Sequence, residues 1–288
     1  MNHFLNVKLD EYERSGLLLR WIEQNPMPFS VSQHIAPGDH ELQQIYMRMC
    51  DKLVGLGVLS YWRSERGWYR PVEQECPEID LKAQVPEPVD IWLPFNISDM
   101  VEIYPGNVII FAGCKSAGKT CIALNVCKEN EYKFDTVKYF NSEMGGAELR
   151  KRTDMFMRPG WVTKFYSRSH EFEAVVGTGI NTLNVIDFLE IHDEFFNIGA
   201  IFKAIHSKLK DSVCIIFLQK NPGQSVGLGG YRSLELARLY VALEKGVAKI
   251  TDAKNWVDHD SNPNGKVTRF KIRSGTTISH DGWHREVE

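Results

Sequence analysis

Val108-Ile109-Ile110-Phe111-Ala112-Gly113-Cys114-Lys115-Ser116-Ala117-Gly118-Lys119-Thr120-Cys121-Ile122-Ala123-Leu124 is an apolar, β-branched run, then a glycine-bounded loop, then a stretch with helical character. Residues Gly113, Cys114, Lys115, Ser116, Ala117, Gly118, Lys119 and Thr120 fill every fixed position of the pattern G-x-x-x-x-G-K-[ST]. Glycines let the backbone N–H groups of such a loop turn inward around phosphate oxygens. Lys119 can then reach the β- and γ-phosphates, and the Thr120 hydroxyl can ligate Mg²⁺. The helix opening at the loop adds the favourable end of its dipole. The stretch predicts a site for a nucleoside triphosphate with Mg²⁺. No guanine-reading N-K-x-D motif accompanies it, so ATP is the default ligand.

Beyond the loop, apolar runs alternate with amphipathic ones, the pattern of a mainly parallel sheet covered by helices. Strands are predicted over 136–140, 161–166, 183–189 and 212–219, and helices over 146–156 and 198–209. Segments 239–243, 247–251 and 267–272 are shorter and more alternating, which predicts an antiparallel extension of the sheet. Ligands of such sheets gather at the C-terminal strand ends, and each candidate strand delivers a suitable residue there. Asp187 is an apolar-flanked carboxylate placed to hold Mg²⁺. Glu143 can orient and deprotonate an attacking water, and Gln219 can hydrogen-bond a γ-phosphate or that water. The loop that follows, 220–230, carries four glycines and Lys220, with Tyr231 and Arg232 just beyond. It is the candidate grip on single-stranded nucleic acid.

These motifs together carry a resemblance. Residues 91–275 resemble the RecA-like P-loop ATPase core, most closely that of the DnaB-type replicative helicases. Asn141-Ser142-Glu143-Met144 is similar to the family's S-L-E-M motif, and Val185-Ile186-Asp187-Phe188-Leu189-Glu190 to its I-D-Y-L-Q motif. Phe217-Leu218-Gln219 resembles L-S-Q, and Ala253-Lys254-Asn255 resembles the start of A-K-N-R. The resemblance implies ATP hydrolysis with Glu143 as base. It also implies a homo-oligomer, ring or filament, in which Lys254 reaches a neighbour's γ-phosphate. Trp256 stands where the family has its arginine finger, which leaves Lys254, Arg269 or Arg273 for that role.

The front of the chain has a different character. A serine-led amphipathic helix is predicted near 15–24, a short one over 30–35, and a third, capped by Asp39, running to about Leu56. Two short strands, 58–63 and 68–72, follow around Ser64-Glu65-Arg66-Gly67. Residues 10–72 resemble a winged helix-turn-helix domain. The resemblance implies duplex DNA contact through Gln43, Gln44, Arg48 and Lys52 of the third helix and Arg63, Arg66 and Arg70 of the hairpin. Residues 1–75 hold eight basic and ten acidic side chains, a balance that suits a protein-contact module equally well. Residues 76–95, with four prolines among acidic side chains, predict an extended linker, so the ATPase domain is expected over 96–288.

The chain's 288 residues accommodate both domains. The net charge of −3 confines nucleic-acid contact to local patches. Six cysteines form no CxxC pair, and among nine histidines only His280 and His284 have ligand-like spacing, so neither a disulfide frame nor a zinc site is expected. No apolar run approaches the roughly 20 residues of a membrane span, and Met1–Val7 lacks the basic and apolar parts of a signal peptide. A cytoplasmic location is therefore expected. Two functional classes remain in view: a DNA-associated ATPase, helicase- or recombinase-like, and an ATP-switched regulator, loader or assembly protein with little turnover. A metabolic kinase is a weaker third reading.

Overall fold

The computed structural model describes residues 11–62, 65–72, 81–82, 84–189, 198–227 and 229–285. The chain divides into two compact units, Met1–Ala83 and Gln84–Glu288.

In the first unit, helix α1 (Glu11–Gln24) leads to strand β1 (Phe29–Ser30), a short π-helical turn (Val31–Ile35) and helix α2 (His40–Gly55). The Asp39 side chain accepts the N–H groups of Glu41 and Leu42, which is why α2 starts where it does. Gly57, at φ 72°, turns the chain out of α2 into strands β2 (Leu59–Tyr61) and β3 (Trp68–Pro71). The sheet is antiparallel in the order β1-β3-β2. Leu18, Phe29, Ile35, Tyr46 and Tyr69 form its core.

The second unit is built on a ten-stranded sheet. Strand β4 (Val108–Gly113) is followed by α3 (Lys119–Asn130), β5 (Thr136–Asn141), α4 (Gly146–Asp154) and β6 (Lys164–Ser167). Next come β7 (Thr182–Leu189), α5 (Ile198–Leu209), β8 (Val213–Gln219) and β9 (Ala237–Glu244). The last strands are β10 (Val247–Ala253), β11 (Lys266–Arg273), β12 (Thr277–His280) and β13 (His284–Arg285). The order is β12-β11-β10-β9-β4-β8-β7-β5-β6, with β13 also paired to β11. Strands β4, β7 and β8 are buried along most of their length, as their apolar Val/Ile/Leu/Phe runs require in a sheet covered on both faces. Separate apolar layers cover those faces, one including α3 residues Ile122 and Val126, the other α5 residues Ile198, Phe202 and Ile205.

Two expectations are corrected. Residues 239–243 belong to the antiparallel extension on one side only: their strand β9 pairs antiparallel with β10 but runs parallel to β4, with Phe111 opposite Val241. Its side chains are buried from Leu239 to Leu243, as a central position demands. The linker also ends earlier than 95. Ile91, Leu93 and Phe95 belong to the second unit's core. The Asn130 side chain accepts the Trp92 N–H at 2.8 Å and donates to the Trp92 carbonyl at 2.9 Å. Prolines keep this segment extended, while its alternate apolar side chains bury it.

Among the described residues no helix is long and apolar enough to cross a membrane. No cluster of three or more His, Cys, Asp or Glu there is arranged to hold a metal ion.

Candidate functional site

The C-terminal ends of β4, β5, β7 and β8 share one edge, as parallel pairing dictates, with Gly113 opposite Gln219 and Asn141 opposite Asp187. The loop leaving β4 reaches α3 through left-handed backbone at Ser116 (φ 63°) and Gly118 (φ 91°). Glycine suits position 118 for two reasons. It takes a φ that side chains resist, and a Cβ there would sit 2.3 Å from Ile272 Cδ1 of β11. Gly118 caps α3 without a side-chain acceptor, so the first N–H groups of the helix face the loop's interior.

Lys119 lies across this loop. Its ammonium donates to the Gly113 carbonyl at 3.0 Å, the Cys114 carbonyl at 3.2 Å and Gln219 Oε1 at 2.9 Å. Burial lowers its pKa, and the charges of Asp187 and Glu143 act in the opposite direction. These couplings bring the sequence-predicted residues Lys119, Gln219, Asp187 and Glu143 into one neighbourhood.

Asp187 is 2% exposed. One carboxylate oxygen accepts the Tyr139 hydroxyl at 2.6 Å. The other, Oδ1, is shielded from solvent and accepts no hydrogen bond from a described residue. Burial raises the carboxyl pKa above its ordinary 3.8, while Tyr139, Thr120 and Lys119 pull it down. The Thr120 hydroxyl is thus close enough to act on Asp187 but is not in full hydrogen-bonding geometry with Oδ1. A buried, orphaned carboxylate oxygen beside a threonine hydroxyl is a fit donor pair for a hard divalent cation such as Mg²⁺.

Glu143 is exposed, two residues beyond β5. Its turn is fastened from both sides. The buried Asn141 side chain accepts the Met144 N–H at 3.1 Å and donates to the Met144 carbonyl. Ser142 donates its hydroxyl to the Phe188 carbonyl at 2.6 Å and its N–H to the Asp187 carbonyl at 3.2 Å. The turn bearing Glu143 is therefore tied to the strand bearing Asp187. Tyr139, Asn141 and Ser142 are functional supports that the sequence reading passed over. The signal for Tyr139 was its place in β5, opposite Val185 and two positions before the strand's polar end.

Lys254 lies elsewhere. It follows β10, whose Ala253 pairs with Leu239 near the start of β9, whereas Leu243 near the end of β9 faces Gly113. Lys254 is thus at the opposite edge of the sheet from its own phosphate loop, donating to the Glu235 carbonyl at 3.3 Å. Arg269 and Arg273 are exposed on β11. They line a cavity of about 470 Å³ with Lys271 and His280.

The expected nucleic-acid contacts divide. Lys220 is corrected: it is 1% exposed and ion-paired with Glu244, so it cannot grip a strand. Arg232 is exposed on a short 3-10 turn (Gly230–Ser233), next to Tyr231 at 82% exposure. In the first unit, Gln44, Arg48 and Lys52 are exposed on α2. Gln43 is corrected, since its half-buried amide donates to the Ala36 carbonyl at 2.8 Å as part of the scaffold. Arg66 is exposed at the β2–β3 turn. Arg70 lies over the Trp62 ring at 5.2 Å and donates to Ser60 Oγ. Arg63 lies outside the described residues.

The chain's architecture has a known counterpart. The KaiC-like protein PH0186 of Pyrococcus horikoshii OT3 superposes with a TM-score of 0.51 at 17% identity, over 67% of this chain and all of that one. The fold is that of the RecA-like ATPases. A second solved structure, itself an ATPase domain, superposes with a TM-score of 0.48 at 17% identity over 60% of this chain and 84% of that one. No protein-family model matches the sequence, and neither does any curated protein.

Proposed function

We propose that the chain is a Mg²⁺-dependent ATPase that works on DNA, helicase- or recombinase-like, in replication, recombination or mobile-element maintenance. The observation that carries this reading is the buried Asp187 Oδ1, without a hydrogen-bond donor among the described residues, beside Thr120 and Lys119 at the mouth of the phosphate loop.

ATP is the substrate. Its phosphates replace the Gly113 and Cys114 carbonyls and Gln219 as partners of the Lys119 ammonium, and the open N–H groups of α3 receive them. Thr120 and Asp187 would hold Mg²⁺, which when bound neutralises charge on the phosphates. Glu143, exposed at its fastened turn, accepts a proton from the attacking water. Gln219, released from Lys119, is free to bond the γ-phosphate or that water and pass the change to segment 220–232. A trans-acting cation completes the reading, since Lys254 is too far around the sheet to serve its own loop. This favours a homo-oligomer, a ring or a filament.

The first unit is read as a winged helix that contacts duplex DNA through Gln44, Arg48, Lys52, Arg66 and Arg70. The support is its element order and the sheet order β1-β3-β2 beside exposed basic residues. A second reading, an ATP-switched regulator or loader with little turnover, is favoured by Trp256, whose indole N–H is spent on the Ala253 carbonyl at 2.6 Å where a cationic finger is expected.

The test is the ATPase rate with Mg²⁺, with and without single-stranded and duplex DNA, for the wild-type chain and Lys119→Ala. Stimulation by single strands that vanishes in the variant supports a nucleic-acid motor. Tight ATP binding without stimulated turnover selects the second reading. No ATP binding in the wild-type chain refutes both.

A further inference from the structure

Three neighbouring strand ends meet at the phosphate loop. On one flank, Glu244 closes β9, just after Leu243, whose carbonyl accepts the Cys114 N–H at 3.2 Å. On the other flank, Lys220 follows β8, and its N–H donates to the Gly113 carbonyl at 3.2 Å. Lys220 and Glu244 thus belong to strands two apart, about 10 Å by ordinary spacing. The Lys220 side chain, fully buried, crosses the end of β4 to reach the Glu244 carboxylate. The same carboxylate oxygen accepts the Gly223 N–H at 2.9 Å. The Cys114 thiol lies close enough to Glu244 for the carboxylate's charge to help raise its pKa.

The end of β9 therefore fastens two segments: the Leu243 carbonyl holds Cys114 of the phosphate loop, and the adjoining Glu244 carboxylate holds Lys220 with Gly223 of the glycine-rich loop. Partial burial pushes the Glu244 pKa up, but Lys220, Gly223 and Cys114 outweigh it and hold the carboxyl below its usual range, so it is charged while it makes these bonds. An ion pair with one member fully buried is a poor device for stability, because apolar replacements of similar volume often do as well. What this one supplies is a fixed connection between two loops, alongside the Lys119–Gln219 contact.

We propose that Glu244 is a positioning residue that couples the phosphate loop to the glycine-rich segment, so that nucleotide bound at the first alters how the second is fastened. The inference rests on the nucleotide-binding reading given above. Phosphate oxygens draw on the N–H groups around Cys114 and Lys119. Any shift of Cys114 is felt at Leu243, whose neighbour Glu244 holds Gly223 and Lys220. The link is separate from Gln219 and uses a lysine that the glycine-rich context had suggested was a strand-gripping cation.

The experiment is amide exchange over residues 220–227 in the full chain, with and without Mg–ATP. In the wild-type chain the exchange rate changes about threefold or more on nucleotide binding. In Glu244→Gln it rises about tenfold in both states, the loss of one charge-assisted hydrogen bond, and the nucleotide difference disappears while ATP affinity stays within about threefold. The double variant Lys220→Met/Glu244→Gln removes both charges at similar volume and covers the case in which the single variant does not fold. It too is expected to lose the nucleotide difference. A wild-type-like nucleotide difference in the double variant overturns the inference. So does a wild-type chain that binds ATP with unchanged exchange in this segment. Absence of ATP binding in the wild-type chain overturns the nucleotide reading and this inference together, which distinguishes the two failures.

Discussion

Asp187→Asn separates a metal ligand from a structural aspartate, because the two roles predict opposite changes in stability. In the nucleotide-free chain the wild-type carboxylate leaves Oδ1 buried without a donor among the described residues. An unmade buried hydrogen bond of this kind costs about 1–3 kcal/mol, more for a charged group. Asparagine keeps an oxygen for the Tyr139 hydroxyl and presents an amide to Thr120, whose hydroxyl can accept. For a unit of roughly 200 residues each kcal/mol moves the unfolding midpoint by about 2–4 °C, so the variant should melt about 2–12 °C higher. With Mg–ATP at a hundred times its Kd, the wild-type chain gains about 2.7 kcal/mol, and the variant, lacking the anionic ligand, gains little. The gap between the two melting points therefore shrinks by the full ligand shift on loading, and inverts wherever the variant's advantage is below about 2.7 kcal/mol, which differential scanning calorimetry reads directly. The pH dependence has a definite sign. Because burial raises the folded pKa above 3.8, the favourable contribution of the protonated carboxyl is complete below that value. It is lost as pH rises through the raised folded value, so the variant's advantage grows across that window and vanishes in acid. A variant that melts below wild type without nucleotide, or that shows the full Mg–ATP shift, refutes the reasoning.

Glu143→Gln should reduce hydrolysis by about 10²–10⁴-fold, the usual weight of a general base, with ATP affinity unchanged by calorimetry; a normal rate removes Glu143 from the chemistry. Asn141→Ala frees the turn carrying Glu143 and should lower kcat about tenfold or more with KM nearly constant, as misplacement of a catalytic group does; a matched rise in KM would point to a damaged binding loop instead. Gly118→Ala puts a methyl group 2.3 Å from Ile272 Cδ1 at a φ of 91°, and should abolish stabilisation by Mg–ATP and cost more than about 1 kcal/mol. Adding Ile272→Ala should return part of that stability, a coupling of about 0.5–3 kcal/mol for touching residues; strict additivity in urea titrations would show that the contact is not the cause.

Much of the site was legible because parallel strands deliver their C-terminal residues to one edge, and that rule needs only strand boundaries. Asp187 and Gln219 follow from it, and so does Glu143 once β5 is placed. What escaped were partners supplied from far along the chain. Lys220 stands in a glycine-rich stretch that advertises exposure, and nothing nearby signals Glu244, which buries it from two strands away. Gln43 has the spacing of an exposed helix residue but is claimed by the Ala36 carbonyl. The prolines of 86–94 suggested a free linker, whereas the alternation of Ile91 and Leu93, read with the buried Asn130, marks a segment laid on the core. The parallel side of strand β9 escaped because pairing with β4 depends on the fold and not on β9's own residues.

The contact between Ile272 and Gly118, together with the Asn125 amide that donates to the Thr276 carbonyl across 151 positions, sets an order of events during synthesis. A ribosome adding about 5–20 residues per second finishes the loop of residues 113–120 many seconds before β11 emerges. Through that interval Gly118 and the start of α3 lack the hairpin that closes over them. A nascent chain arrested before residue 276 should therefore have its phosphate loop still unsealed, and nucleotide capture should wait until β11 and β12 have left the ribosome.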